Sequence, residues 1–312
     1  MTHGLGYVKN NEDRLFSFHY DYKQTWDHKF NMQGLRAPGT YVKMLANLKD
    51  EREKECILTI LKYVVSVNIA SKNQIARYLT LFGFDVTNLE DKLNDMIEKR
   101  LLNMFALAAV PLPEIPEDAL RFYCLDMGGK EILNHFGRNE LLDWLSINSV
   151  RSTELVNKYL TTNEFQLALL SKLRSAVSYF NSPVDLSIGT RFMRMSGEFR
   201  IQTGSIPRDY LLEVIRSYDV PLFFRNKSEK ISELLNTRHV ERYFKLPPTI
   251  ILMAENDEQL LECAGLFYRM CGYDDFFLTS DLRINEGMGD HSFLRYDHNS
   301  ETLEPVMIDE VL

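Results

Sequence analysis

The chain lacks most of the features that announce a membrane, secreted or nucleotide-hydrolysing protein. No apolar run approaches the roughly 20 residues that a bilayer-spanning helix needs, and the opening Met1-Thr2-His3-Gly4-Leu5-Gly6 has neither the cationic nor the apolar stretch of an export signal. Only four cysteines occur in 312 residues, at 56, 124, 263 and 271, without the paired spacing of a disulfide framework or a metal knuckle. These absences lead us to expect reduced thiols and a cytoplasmic protein with no membrane partner. No Gly-x-Ser-x-Gly elbow and no His-Glu-x-x-His pair is found, and Gly128-Gly129-Lys130 lacks the first half of a phosphate loop. Serine-hydrolase chemistry and nucleotide hydrolysis are therefore not expected, and the histidines are expected to be structural. There is no internal repeat and no low-complexity stretch.

Positive charge is also in short supply. The 36 Lys and Arg against 44 Asp and Glu leave a formal charge of −8, which excludes a chain that coats nucleic acid by charge alone. The deficit is uneven. Residues 255–312 carry three bases against fourteen acids, residues 191–245 carry eleven bases against seven acids, and residues 1–137 are close to neutral. A basic face, if present, is local, and the acidic end can repel or mimic nucleic acid or simply be solvated surface. What the chain does have is 45 % apolar and 26 % charged residues in a length that suits two domains, a globular composition.

Residues 1–50 hold Phe16, Phe18, Tyr20, Tyr22, Trp26 and Phe30, and 16–22 alternates with period two as a half-buried strand does. So many rings predict a packed arm, although rings of this kind also stack on bases. From 51 the spacing turns helical, with Cys56, Ile57, Ile60, Leu61, Val64 and Val65 on one face. Ser71 is a good N-cap for a second helix that stops at Gly83. A third is predicted from Thr87, with Glu90 completing a capping box. An apolar run at 102–110, a Pro-rich turn, a strand at 120–125 and a helix at 129–136 follow. Three helices and a hairpin are the order of a winged helix-turn-helix, placed at 51–137.

Residues 138–162 read as a helical connector. Over 163–285 the predicted elements are a helix at 164–180, strands at 191–195, 198–202 and 210–215, and a helix at 228–243. A strand at 249–253, a helix at 257–271 and a strand at 275–279 complete them. The fold class expected is α/β (α+β overall), a winged helix followed by an α/β sandwich, with the acidic 286–312 as a tail.

Three segments resemble the replication-relaxation proteins of plasmids and integrative elements. Gln74-Ile75-Ala76-Arg77-Tyr78-Leu79 is similar to their helix-two segment, and 122–133 to the passage from wing strand to helix. Leu211-Leu212-Glu213-Val214-Ile215-Arg216-Ser217 is similar to their acidic strand. The resemblance spans roughly 52–280. It implies a restriction-endonuclease-like fold for the second domain and double-stranded DNA as the partner of the first.

In a winged helix the third helix enters the major groove while the hairpin touches backbone or minor groove. The residues expected to contact DNA there are Asn88, Lys92, Asn94, Lys99 and Arg100, with Lys72 and Arg77 on the helix before. Asn88 and Asn94 suit adenine edges. Glu90, Asp91, Asp95 and Glu98 oppose phosphate attraction on that same helix, which leaves open a protein-interaction or homodimer module. In the second domain Arg191, Arg194 and Arg200, with Arg208, Arg216 and Arg225, are expected to gather guanidinium groups on one strand face for phosphate.

The rival expectation is a metal-dependent nuclease of the PD-(D/E)xK type. Such an enzyme holds Mg or Mn between two acids on adjacent strands, with a Lys one spacer beyond the second acid. Glu198, Glu213 and Arg216 are the nearest candidates. Glu213 and Arg216 are three apart, however, so a regular strand points them to opposite faces, and Arg stays protonated and is a poor base. Glu164 reads as part of a Thr161-Thr162-Asn163-Glu164 capping box. The function expected is non-enzymatic DNA binding in the replication, transfer or regulation of a mobile element, with no cofactor unless the nuclease alternative holds.

Overall fold

The computed structural model describes residues 9, 23–26, 39–108, 115–137, 150, 152–202, 207–218, 220, 227–236 and 240–312, in two compact units, residues 1–160 and 161–312. The expected strand at 16–22, Arg225 and residues 138–149 of the connector lie outside the described residues.

In the first unit, strand β1 (Lys23–Trp26) and helix α1 (Thr40–Ala46) come from the segment expected as an arm. Helix α2 (Glu51–Val67) starts where Asp50 accepts the amides of Arg52 and Glu53, and it buries the predicted face. Strand β2 (Ala70–Ser71) leads into α3 (Lys72–Leu81), which opens on a capping box between Ser71 and Gln74 and ends at Gly83, where φ is +75°. Helix α4 (Leu89–Glu98) starts two residues later than predicted. Thr87 donates its amide and hydroxyl to Asp85 at 3.0 and 2.7 Å and caps nothing, because an Asx-type turn competes for it; Glu90 pairs with Lys72 instead. Strands β3 (Leu102–Ala108) and β4 (Arg121–Leu125) form the antiparallel hairpin, and the sheet order is β1-β3-β4-β2. Helix α5 (Met127–His135) closes the unit. A Cβ on Gly129 would collide with the Leu101 carbonyl oxygen, so that glycine serves close packing and not a phosphate loop. The three helices and the hairpin expected over 51–137 are thus present, with β2 between the first two helices.

The second unit takes in most of α6 (Thr153–Leu173), which begins eleven residues before the predicted start and stops seven before the predicted end. Thr161, Thr162, Asn163 and Glu164 are buried in the middle of this helix, so the capping-box reading fails: cap-type residues there continue a helix already in phase from Val156 and Tyr159. Strands β5 (Val177–Asn181), β6 (Val184–Ile188), β7 (Arg191–Met195), β8 (Gly197–Ile201) and β9 (Arg208–Val214) follow. After them come α7 (Ser228–Asn236), β10 (Thr249–Ala254), α8 (Asp257–Cys271), β11 (Phe276–Ser280), α9 (Asp281–Asn285), β12 (Phe293–Asp297), β13 (Thr302–Val306) and α10 (Ile308–Val311). Seven strands form one sheet in the order β13-β12-β11-β10-β9-β8-β5, and β6 with β7 forms a separate hairpin. Strands β9, β10 and β11 run parallel; β5, β8 and β9 alternate in direction.

Alternation along β9 builds a core on each side of this sheet. Leu211 and Ile215 pack with α7 and α8, whereas Tyr210, Leu212 and Val214 pack with α6 and α10. The domain is therefore an α/β sandwich. Of the three strands expected at 191–195, 198–202 and 210–215 the last two are neighbours in this sheet, but 191–195 pairs only with β6; its place beside β8 is taken by β5, from a segment expected to be helical. The predicted acidic tail is a correction: Phe293, Leu294, Tyr296 and Val306 are buried in the extended sheet, and the acids of 286–312 sit at turns, along β12 and β13 and on α10. The helix predicted to run to 243 ends at Asn236 among the described residues, with a short 3-10 turn at Val240–Arg242.

Candidate functional site

The carboxyl ends of parallel strands are where open α/β sheets bind ligands, because the loops diverge there. In the second unit that edge joins the end of β9 to the ends of β10 and β11, and it is lined with charge. Glu213, fully buried on β9, stands beside Ser196, one residue before β8. The Ser196 amide and hydroxyl donate to Glu213 Oε2 at 3.2 and 3.3 Å, and Lys227 Nζ lies 2.5 Å from the same oxygen. The Ser196 hydroxyl also accepts the Val214 amide at 3.0 Å.

Two residues after β9, Arg216 is wholly buried and forms a fork with Asp281 at the start of α9, with Nη2 to Oδ1 at 2.9 Å and Nη1 to Oδ2 as the second bond. Burial pushes the Asp281 carboxyl up to about 6 in spite of the arginine, and the neighbouring Glu255 and Glu164 carboxylates add to the rise. For Arg216 burial works downward, but the Asp281 charge and that of Glu255 outweigh it and leave the guanidinium raised. The two directions agree once the site is seen as one cation among several acids. Glu255, half-buried after β10, accepts the Ser217 amide at 3.0 Å and hydroxyl at 3.2 Å. Asp257 takes a fork from Arg283 at 3.0 and 2.7 Å and a hydrogen bond from the Ser280 hydroxyl. The Arg283 fork is the main reason its carboxyl lies below the usual range.

This arrangement does not fit a divalent cation at Glu213. Its bound oxygen faces an ammonium, its cross-strand neighbour is a serine, and one spacer beyond it Ile215 lies in the apolar core. Glu198, expected as the second acid, pairs in register with Leu211. It thus shares the face of Glu213 but sits two residues further along, where it accepts Asn181 Nδ2 at 3.2 Å. Among the described residues no group of three or more His, Cys, Asp or Glu side chains stands together as a metal-ligand set. Arg216 is held by Asp281 and is no catalytic base. An open depression of about 380 Å³, lined by Asp274, Asp275, Arg295, Tyr296, Asp297, His298 and Glu304, lies at the amino end of β11, away from Glu213.

The expected arginine face is not assembled. Arg194 forks onto Asp185 across the β6–β7 hairpin, Arg200 forks onto Asp209 between β8 and β9, and Arg216 is buried. Arg191 remains exposed with Glu233 at 4.0 Å, and Arg208 is exposed at the start of β9. Arg194, Arg200 and Arg216 each found an acid from another strand or helix, which a period-two pattern cannot reveal.

In the first unit, Arg77 and Asn88 are exposed and Asn94 is half-buried. Lys72 pairs with Glu90 at 2.9 Å, Lys99 with Asp95 at 2.5 Å, and Lys92 Nζ approaches Cys56 Sγ at 3.4 Å. Arg100 takes φ of +61° at the turn after α4 and binds Asp126, which also accepts the Met127 amide at the start of α5. Its position ties the turn before β3 to that helix and removes it from the expected phosphate role. The outer side of α4 carries exposed Glu90, Asp91 and Glu98.

Sequence reasoning missed Ser196, Lys227, Glu255 and Asp281. The four cysteines are all buried and unbonded to one another. No helix among the described residues is long and apolar enough to cross a membrane.

No family model and no curated protein matches the chain. Among solved structures it is similar to restriction endonuclease FokI, at 14 % identity over 76 % of this chain and 44 % of that one, TM-score 0.27. The same endonuclease bound to DNA gives 13 % identity over 76 % and 44 %, TM-score 0.26. Protein VC1899 from Vibrio cholerae gives 9 % identity over 79 % and 58 %, TM-score 0.27. The chain thus spans less than half of the endonuclease and less than two thirds of the Vibrio protein. Superpositions this loose carry no argument, and the fold assignment rests on the strand order.

Proposed function

We propose that the protein binds duplex DNA without cutting it, in the replication, transfer or regulation of a mobile element. The observation that carries this reading is the winged-helix order of the first unit, with Arg77 and Asn88 exposed on and before its two docking helices. The absence of cutting is supported by Lys227, which neutralises Glu213 where a nuclease would place a cation, and by Ser196, which replaces the second acid. The mobile-element setting rests on the resemblance of 74–79, 122–133 and 211–217 to replication-relaxation proteins.

Duplex binding is tested by fluorescence anisotropy with the whole chain, where Arg77→Ala is expected to weaken affinity several-fold. Supercoiled plasmid incubated with Mg or Mn is expected to stay intact; nicking that disappears in Glu213→Ala would replace this reading with the nuclease one. The exposed acids of α4 favour a second reading, a winged helix that pairs with a basic protein or with itself. Light scattering and pull-down after nuclease treatment separate it from DNA binding.

A further inference from the structure

The hairpin of β3 and β4, which would be the wing, has no side open to a duplex. In the sheet order β1-β3-β4-β2 both of its strands are inner strands, and β1 runs along the outer edge of β3 from Lys23 opposite Ala108 to Trp26 opposite Phe105. Every residue of β3 and four of the five in β4 are buried. Alternation sends Phe105, Leu107, Phe122 and Cys124 to one face, where Val156, Tyr159 and Leu160 from the first turns of α6 cover them. Met104, Tyr123 and Leu125 go to the other face, and there Leu125 and Leu61 of α2 close on Gly129 of α5.

Charge closes the remaining route, the connection between the two strands. Residues 102–120 hold no Lys or Arg and three acids, Glu114, Glu117 and Asp118. Glu117 and Asp118 are exposed. Arg121, the first cation after them, folds its guanidinium back onto the carbonyls of Pro116, Glu117 and Ala119 at 2.9, 2.6 and 3.4 Å. The arm adds Lys23 and Lys9, the latter bridged to Ala119, so this end of the hairpin holds no more bases than acids. A wing that grips the phosphates beside a groove needs an excess of base there.

The docking helices differ on both counts. Arg77 on α3 and Asn88 at the start of α4 are exposed. On its inner side α3 is anchored by Gln74, whose side chain accepts the Ser71 amide at 3.2 Å in the capping box and donates Nε2 to the Leu160 carbonyl at 2.8 Å. The hairpin and the start of α6 are thus a packed platform to which α3 is tied. We infer that the duplex is engaged from one major groove by α3 and α4 alone, and that the hairpin touches neither the minor groove nor its phosphates. The inference rests on the duplex-binding reading above and narrows it to one surface.

Adding charge at each place and following duplex affinity against salt by anisotropy tests this, with circular dichroism as the folding control. The double variant Glu117→Lys/Asp118→Lys puts lysines on the hairpin connection. Asn88→Lys puts one at the start of α4, where the asparagine side chain makes no capping bond. Near about 0.15 M salt the screening length is about 8 Å, so a lysine away from the DNA surface adds little. Asn88→Lys is expected to bind at least about threefold more tightly and to steepen the slope of log affinity against log salt by about 0.9, one more neutralised phosphate. The double variant is expected to stay within about twofold of the unchanged chain, with the same slope. A gain in the double variant equal to that of Asn88→Lys overturns the inference and leaves duplex binding standing. A gain in neither variant, from a chain that does bind duplex, overturns the docking surface on α3 and α4. Absence of duplex binding by the unchanged chain at low salt overturns both the inference and the reading on which it rests.

Discussion

Removing Asp281 should expose how much of the second unit depends on the Arg216 pair. Both side chains are wholly buried, so Asp281→Ala leaves a guanidinium in the interior with two broken hydrogen bonds and no room to reach water. Breaking one partner of such a pair costs about 3–5 kcal/mol, whereas replacing both by apolar groups of similar volume is close to neutral. The double variant Arg216→Met/Asp281→Leu should therefore recover most of the stability that Asp281→Ala loses. Both tryptophans, Trp26 and Trp144, belong to the first unit, so their fluorescence will not report the loss. Hydrogen exchange read on peptides covering 208–217 and 249–285 will. Protection there should fall by roughly two to three and a half orders of magnitude in Asp281→Ala. A fall of less than tenfold, or a double variant no better than the single one, would refute the claim that a buried ion pair pins the carboxyl edge of the sheet.

Other consequences follow from the same edge. Because Asp281 is raised to about 6 in the folded state from an ordinary carboxylate value near 3.8, the folded chain holds the extra proton between those values. Its contribution to stability is complete below about pH 4 and is lost as pH rises through 6, a change of roughly 3 kcal/mol. From pH 4 to 6.5 the unchanged chain should lose about 2 kcal/mol of stability relative to Asp281→Asn, and a constant difference speaks against it. Lys227→Met leaves the buried Glu213 carboxylate without its cation and should destabilise by about 3 kcal/mol, with Glu213→Gln added to it restoring most of the loss in urea denaturation. A second substitution that deepens the loss would contradict the pairing.

Much of the fold was legible because it follows from local chemistry. Ser71 caps its helix, Gly83 stops one, and the apolar faces of α2 and α8 fall at helical spacing. The buried strands β10 and β11 read as short apolar runs bounded by turns. The start of α6 was hidden because polar residues that normally cap a helix lie buried within it, and the strands of 286–312 were hidden because their outward acids dominate the composition. The site was legible only in part. Glu213 announces itself as an acid in an apolar strand, but the side chains that decide its chemistry lie far away in sequence: Ser196 is 17 residues before it, and Asp281 is 65 after Arg216. Those neighbours are set by the parallel crossovers that bring three strand ends to one edge, and a linear pattern does not encode them.

The central claim is that this chain holds duplex DNA through phosphate contacts made by few cations. Its most direct test is the salt dependence of duplex affinity for the whole protein. A plot of log affinity against log salt should be linear with a shallow slope, about −2 to −4 at roughly 0.9 per neutralised phosphate, since most cations on the docking helices are already paired with acids. Duplex affinity that is absent at low salt, or that does not change with salt, would contradict the account.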